Sequence, residues 1–355
     1  MTDLNSKNKT ILVAPLNWGL GHATRCIPII KALLENNFTP IIASDGFALD
    51  LLRKEFPYLQ FLELPSYQIE YTKNGKHFRW KMLKNSPRMI EAIMSEKKLV
   101  KKWIKKYSIE GIISDNRLGV YNKKVPTVFI THQLNVLTGN TTWLTSFLHQ
   151  NIIKQYSECW VPDFESRPNL AGKLSHLDNP DFKIKYLGPL SRMHKKDVEK
   201  KYDLMIILSG PEPQRALLEE KLNQELKYYE GNTIFIKGIV EEEQKKEQID
   251  DVTYYNFMSS RQLEKAFNES NIVLCRSGYT SVMDLAKLNK KAFFIPTPGQ
   301  YEQLYLAKKL KQDRLAPYAE QDVFSIEDIT EVNLYKGLQI RNKEIDWKKM
   351  FNIFE

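Results

Sequence analysis

Apolar residues in this chain gather in short runs, each followed by a polar turn and then by a stretch where apolar positions recur at helical spacing. In the first half the runs are Ile11 to Leu16, Pro40 to Ser44, Gly111 to Asp115 and Val125 to Thr131, with another strand end at Trp160-Val161-Pro162-Asp163. In the second half they are Leu204 to Leu208, Thr233 to Lys237, Val252 to Phe257, Ile272 to Cys275 and Ala292 to Ile295. Apolar runs without alternation predict strands covered on both faces, and strands alternating with helices predict βαβ units and a parallel sheet. The helix after the first run spans about Ala23 to Asn36, with Ile27, Ile30, Ala32, Leu33 and Leu34 as its packing face. Further helices are expected from near Gln214, Thr280 and Tyr301. The charged stretch MHKKDVEKKYD after Tyr186-Leu187-Gly188-Pro189-Leu190-Ser191-Arg192 separates the halves, so a domain boundary is expected at about 190 to 200. Glu241 to Asp251 reads as a charge-dense loop.

Bulk properties narrow the class. A chain of 355 residues is long enough for two ordinary domains. No apolar run is long enough to span a bilayer, and the polar start MTDLNSKNKT leads straight into a strand, so neither a membrane span nor a signal peptide is expected. Cys26, Cys159 and Cys275 lie far apart without metal-ligand spacing, which points to a reduced, cytoplasmic protein and no structural metal. The net charge of +9 calls for an anionic partner: nucleotide, lipid head group or nucleic acid. That charge concentrates between Lys73 and Lys106, where twelve Lys/Arg face only Glu91 and Glu96. The second half of this stretch reads as an amphipathic helix with Met89, Ile90, Ile93, Met94, Val100, Trp103 and Ile104 near one stripe. Lys97, Lys98, Lys101, Lys102 and Lys105 lie mostly off it. With Phe78, Trp80 and Met82, the composition suits a helix on an anionic membrane surface. A core helix with a solvated Lys face is the plainer alternative.

The densest chemistry lies between Asn271 and Gln303. A strand, the turn Arg276-Ser277-Gly278, a helix from Thr280, a second strand and a Pro/Gly loop make one βαβ unit. Ligands bind such sheets at the carboxyl ends of strands, beside helix N-termini whose free N–H groups suit phosphate oxygens. Ser277, Gly278, Tyr279 and Thr280 stand at that helix start, Asp284 one turn on at a range suited to ribose hydroxyls. Gln300, Glu302 and Gln303 stand at the mouth of the next loop, where they can grip a polyol. Phosphate plus polyol suggests a nucleotide-sugar.

Cys275-Arg276-Ser277-Gly278 with Asp284, Pro296 and Gln303 resembles the donor-site signature of the MurG-like (family 28) glycosyltransferases, inverting enzymes of the wider group that holds the UDP-glucuronosyl and plant glycosyltransferases. The family usually has Glu at the position of Asp284 and two adjacent Gln where this chain has Gln303-Leu304. The resemblance implies the GT-B architecture: an α/β fold of two Rossmann-like parallel-sheet domains facing across a cleft. Residues 1–192 would form the acceptor-binding domain, 193–330 the donor-binding domain, and 331–355 would carry a helix back onto the first. It further implies that Arg192, in a segment like the family's G-N-P-x-R, lies near the nucleotide base, and that Phe257 and Met258 border the uracil. Ser209, Gly210 and Arg215, at the turn after Leu208, are expected at the diphosphate. No Asp-x-Asp motif is present, so no metal and no cofactor beyond the UDP-sugar substrate are expected.

On the acceptor side, Asn17-Trp18-Gly19-Leu20-Gly21-His22 is a strand-to-helix turn that lacks the third glycine of a dinucleotide loop. By resemblance, Gly19 and Gly21 shape a turn facing the cleft and His22 is the candidate general base that an inverting transfer requires. The plain alternative is a histidine packing the helix start. Asp115 can orient His22 or bind acceptor, or it can simply turn the chain after its strand. His132, Gln133 and Asn135 resemble the family's HEQN loop, without its Glu. The expected activity is inverting, metal-independent transfer from a UDP-sugar, with UDP-N-acetylglucosamine first, to a hydroxyl of a glycan or lipid-linked acceptor in the cell envelope. Such a protein is cytoplasmic, peripheral at the inner face of the membrane. A non-hydrolysing UDP-sugar 2-epimerase shares the architecture and donor but needs more acids around the sugar. A non-catalytic binder of nucleotide-sugar or nucleic acid also fits the charge, although no nucleic-acid motif accompanies it, and nucleic acid is not an expected partner.

Overall fold

The computed structural model describes residues 8–67, 78–137, 142–239, 241–339 and 344–355, with side chains in the long basic helix from residue 88 onward. The first unit runs β1 (Thr10–Pro15), α1 (Gly21–Glu35), β2 (Thr39–Ser44), α2 (Gly46–Glu55), β3 (Gln60–Glu63), α3 (Phe78–Tyr107), β4 (Ile109–Asp115), β5 (Thr127–Ile130), α4 (Thr142–Ile153), β6 (Glu158–Val161) and β7 (Ile184–Tyr186). Its seven strands are all parallel in the order β3-β2-β1-β4-β5-β6-β7. The second unit runs β8 (Tyr202–Ile207), α5 (Gln214–Glu225), β9 (Thr233–Ile236), β10 (Lys246–Ile249), β11 (Val252–Tyr255), α6 (Ser260–Glu269), β12 (Ser270–Cys275), α7 (Tyr279–Lys287), β13 (Lys291–Phe294) and α8 (Tyr301–Gln312). Its sheet order is β10-β11-β9-β8-β12-β13, parallel except for β10.

Both sheets are doubly wound, so each has a switch point where consecutive connections diverge: between β1 and β4 in the first, between β8 and β12 in the second. Crevices at such points collect ligands. The turns that leave β1, β4, β8 and β12 carry His22, Asp115, Ser209 and Gly278 respectively, so the topology alone gathers these residues at strand ends. Burial explains the strands: every residue of β1 is buried, because helices cover both faces. Ile11, Val13 and Ile113 pack under α1 and α2, and Leu12, Ala14 and Ile112 under α3. A short helix, α9 (Trp347–Phe351), ends the chain against the first unit, with Phe351 and Phe354 beside Phe38 and Trp160.

Two stretches differ from the expectation. The charge-dense segment at 241–251 is no plain loop. It contains β10, which pairs antiparallel with β11 and is exposed at every position. An edge strand with water on both faces needs no apolar pattern, and charge there discourages further pairing. The apolar stripe of α3 is also split. Val100 and Trp103 are buried, whereas Ile90 and Met94 are more than half exposed, since the inward face follows Ala92, Glu96, Val100 and Trp103. Phe78, Trp80 and Met82 lie outside the described side chains, and Lys73 to His77 outside the described residues.

Glu96 sits on the inward face of α3 because Arg117 meets it there. Arg117, fully buried, donates to Glu96 at 2.9 Å, to Pro65 O at 2.9 Å, to Pro15 O at 3.3 Å and to Asp45. Glu96 also accepts from Tyr67 Oη (2.8 Å) and from Gly119 N (2.9 Å), and Asp45 accepts from Asn17 Nδ2 (3.1 Å). One guanidinium thus fastens α3 to the end of β1 and to the segments after β2, β3 and β4. Removing one partner of such a buried pair strands the other's charge. Arg117→Ala is therefore expected to cost about 3–5 kcal/mol, read as a fall in the urea midpoint at unchanged slope; a loss under about 1 kcal/mol would remove this hub from the account.

Candidate active site

His22 stands on the first turn of α1 and Arg25 three residues on, so both side chains leave the same helix face. They converge on Asp115, the last residue of β4, paired in register with Pro15 at the end of β1. His22 Nδ1 is 2.8 Å from Asp115 Oδ1. Arg25 Nε donates to Oδ2 at 2.5 Å and Nη2 to Oδ1. Arg25 Nη2 is also 2.9 Å from His22 Nδ1. An ionised carboxylate only accepts, so the Asp115 bond places the proton on Nδ1 and leaves Nε2 with the lone pair; Arg25 Nη2, which only donates, then lies beside Nδ1 without a hydrogen bond to it. Burial pushes the Asp115 carboxyl up, but Arg25 and His22 outweigh it and hold it well below the usual carboxylate range. Burial pushes the His22 imidazole down; Asp115 opposes this, Arg25 and His132 assist, and the pKa settles below 6.5. His22 is therefore neutral at pH 7, with Asp115 ionised behind it.

The second unit closes on this cluster. A methyl group at Gly21 would lie 2.5 Å from Thr280 Oγ1, so glycine permits the approach of α1 to α7. Tyr279 stacks on His132 with centroids 4.1 Å apart and donates from its hydroxyl to Pro162 O at 2.7 Å. His132 Nδ1 is 3.4 Å from Arg25 Nη1, and its Nε2 is 2.8 Å from Glu302 Oε1. Gln133 donates to the other oxygen of Glu302. The turn Gly19–Gly21 is held from behind by Asn17, which binds Asp45 and Ala48 N; Gly19 has φ +72°.

Three helix N-termini face the second sheet's crevice and differ in what occupies them. At α5, Glu212 accepts from Ala216 N at 3.2 Å, so the chain's own carboxylate caps that helix. At α8, Glu302 lies in the first turn. At α7, the N-cap residue Gly278 makes no side-chain cap, and open space lies beside it. The uncapped N–H groups of α7 are the best anion site of the three.

Several residues expected at the donor do other work. Arg215 is committed to Glu212 (2.6 Å), Glu219 (2.5 Å) and Lys237 O (3.1 Å), so its charge is already balanced. Arg276 is buried and holds Ile295 O, Pro296 O, Gln214 O and Gln321 Oε1, bracing the loops beneath the crevice. On the acceptor side, Asn135 turns away toward Lys173 O and His176 O. Phe257 N and O are tied to Asn256 Oδ1 and Gln244 Nε2, and Met258 packs on the core. Ser277 Oγ donates to Gln303 O at 2.8 Å, and Gln303 Oε1 accepts from Thr297 N at 2.8 Å, shaping the loop that ends at Gln300. Ser209 and Gly210 are exposed, Gly210 with φ +103°. Asp284 does not stand free for a ribose: it is half-buried and accepts from Ser191 Oγ at 2.5 Å across the join between the units. Neighbouring Arg192 keeps Nε and Nη1 buried without a hydrogen-bond partner. Arg25 and the cross-unit grip of Glu302 were not read from the sequence; an arginine three residues after His22 inside an apolar helix was the available signal. No group of three His, Cys, Asp or Glu placed to hold a metal occurs among the described residues, and no described helix is long and apolar enough to cross a membrane.

The profile of the glycosyltransferase family 28 C-terminal domain matches residues 212–350. The chain is 25% identical to a UDP-N-acetylglucosamine–N-acetylmuramyl-(pentapeptide) pyrophosphoryl-undecaprenol N-acetylglucosamine transferase of Haemophilus ducreyi over 52% of this chain and 55% of that one. It is also 25% identical to the enzyme of the same description from Haemophilus influenzae strain 86-028NP, over 95% of this chain and 92% of that one. The crystal structure of MurG from Acinetobacter baumannii superposes with a TM-score of 0.54 at 15% identity, covering 93% of each chain, which places the fold.

Burial raises the Asp284 carboxyl to about 6, against Ser191 and Arg192. Folding therefore favours its protonated form. That contribution is present below about pH 4 and is lost as pH climbs to about 6. Asp284→Asn is expected to gain on the order of 2 kcal/mol relative to wild type between about pH 4 and pH 7, checked by urea titrations at both values; parallel stabilities would show that Asp284 carries no such strain.

Proposed function

We propose, for a chain that belongs to the MurG-like glycosyltransferases of family 28, that it transfers a sugar from a UDP-sugar to an acceptor hydroxyl by a single inverting displacement without a metal. The observation that carries this reading is the hydrogen-bonded pair of half-buried His22 and buried Asp115 at the first switch point, set against the uncapped N-terminus of α7 at the second. Asp115 keeps the His22 proton on Nδ1, so Nε2 takes the proton of the acceptor hydroxyl as its oxygen attacks the sugar carbon. The leaving diphosphate lies at the N–H groups following Gly278, with Ser209 and Gly210 on its other side, and the helix dipole stabilises its growing charge. Asp284 exchanges the Ser191 hydroxyl for ribose hydroxyls, and Arg192 gains the partner it lacks. Gln300 and the Nε2 of Gln303 meet sugar hydroxyls. The Haemophilus relatives use UDP-N-acetylglucosamine, which makes it the first donor to try.

A lipid-borne acceptor fits one face of the first unit. α3 and α4 cover the same side of its sheet, with Lys97 of α3 over Tyr121, and Tyr121 beside Tyr156 at the end of α4. On α4, Trp143, Leu144, Phe147 and Leu148 are exposed; on α3, Ile90 and Met94 are, followed on that side by Lys98, Lys101, Lys102 and Lys105. Apolar groups beside a basic row suit an anionic bilayer at the inner face of the membrane. α4 also holds the acceptor-side loop: Gln150 Nε2 donates to Leu134 O (3.0 Å), and Ser146 Oγ accepts from Val136 N (3.0 Å).

His22→Ala and Asp115→Asn are expected to lower kcat by about 10²–10⁴ while leaving UDP affinity within twofold. Calorimetry with UDP, GDP and TDP compounds, alongside a transfer assay, separates the two effects; Asp284→Ala should abolish UDP binding, and a chain that binds no nucleotide ends this reading. Because His22 titrates below 6.5, the acid limb of kcat/KM is expected below that pH. The double substitution Trp143→Ser with Phe147→Ser is expected to reduce co-sedimentation with phosphatidylglycerol vesicles at least about tenfold, with the same melting temperature; equal sedimentation would clear α4 of membrane contact.

A further inference from the structure

Glu302 belongs to the second unit, yet both its carboxylate oxygens are spent on the first. Oε1 is 2.8 Å from His132 Nε2, and Oε2 accepts from Gln133 Nε2. An acid in the first turn of a helix ordinarily serves its own N-terminus; this one reaches across the cleft instead. Burial pushes its carboxyl up, and His132, Gln133 and Arg25 together outweigh that and hold it below the usual range. His132 then leads on to Arg25 Nη1 at 3.4 Å, Arg25 to Asp115, and Asp115 to His22. The imidazole of His132 is clamped from the side by Tyr279, 4.1 Å away, which also comes from the second unit.

We infer that Glu302 is a positioning residue: a latch by which closure of the second unit orders His132 and Arg25 behind the His22–Asp115 pair. The cluster on the first unit holds two imidazoles and a guanidinium around one carboxylate, Asp115. Glu302 supplies a second carboxylate, and supplies it only when the cleft is shut. With the cleft open, Arg25 loses that nearby carboxylate and His132 loses both its hydrogen-bond partner and its stacking partner, so the base is fully ordered only in the closed form. Because Glu302 starts α8, directly after the loop of Gln300, the same closure brings the sugar-facing loop over the acceptor-side turn. The kinetic consequence rests on the transferase reading; the latch itself does not.

The test uses the full-length chain labelled with nitroxides at Lys101→Cys on α3 and Lys265→Cys on α6, both exposed, while Cys26, Cys159 and Cys275 are buried. Pulsed electron-spin distances are measured without nucleotide and with UDP-N-acetylglucosamine. The nucleotide-free wild type is expected to show a dominant short distance, which Glu302→Ala shifts to longer and broader values and Glu302→Gln partly restores. In the transfer assay, Glu302→Ala is expected to lose about tenfold to a hundredfold in kcat with UDP affinity within twofold, and Glu302→Gln to recover part of it. Unchanged distances in nucleotide-free Glu302→Ala overturn the latch. An unchanged kcat overturns it too, and a loss of UDP affinity equal to the loss of kcat makes Glu302 a donor ligand instead. A wild type that binds no UDP compound defeats the donor reading alone, since the nucleotide-free distances still decide the latch.

Discussion

A single carboxylate at the end of β4 organises the first unit's crevice. Asp115 is fully buried and receives Arg25 by two nitrogens and His22 by a third, with the Cys26 thiol 3.7 Å away. Its burial is tolerable only because a guanidinium meets it in fork geometry. Arg25, also buried, is tolerable only because Asp115 is there. The sheet register that sets Asp115 opposite Pro15 therefore determines where α1 can begin and which way His22 turns. A change in either charge leaves the other stranded in the core, so the base, its orienting acid and the start of α1 stand or fall together.

The second unit divides its helix N-termini by charge. α5 is closed off by Glu212, which in turn absorbs Arg215. α8 begins with a carboxylate aimed away from its own sheet. α7 begins at Gly278 with no side-chain cap, no acid in its first turn and open space beside it. Of the three helix starts, α7 is the one with no carboxylate at its first turn, so its amides are the seat most open to an anion.

The strands were legible because burial on both faces forces apolar runs, and those runs stand in the sequence without reference to anything distant. The turns that carry His22, Asp115 and Gly278 were legible for the same reason: each directly follows such a run. What the sequence concealed were partnerships between residues far apart in the chain. Arg215 has Glu212 and Glu219 three and four residues away, a spacing the sequence does show, but nothing near it points to Lys237 O, and nothing near Asn135 says that it turns to Lys173 and His176. β10 escaped notice because an exposed edge has no apolar pattern to show. α4 escaped because its apolar residues sit on its outer face, where periodicity reports hydrophobicity but not which side is covered.

Two of the contacts between the units differ in chemistry, and the difference bears on how a donor would enter. Ser191 to Asp284 joins a hydroxyl to a half-buried carboxyl raised to about 6, a contact that a ribose with two hydroxyls can replace at no loss of hydrogen bonds. Glu302 to His132 and Gln133 joins a carboxylate held below its usual range to donors that no sugar supplies better. The Tyr279 hydroxyl on Pro162 O lies on α7, which carries Asp284 as well. On the transferase reading, a nucleotide is then able to displace the first contact while the second holds. The weaker contact lies where the ligand must arrive, and the stronger one where the reacting groups must be kept in line.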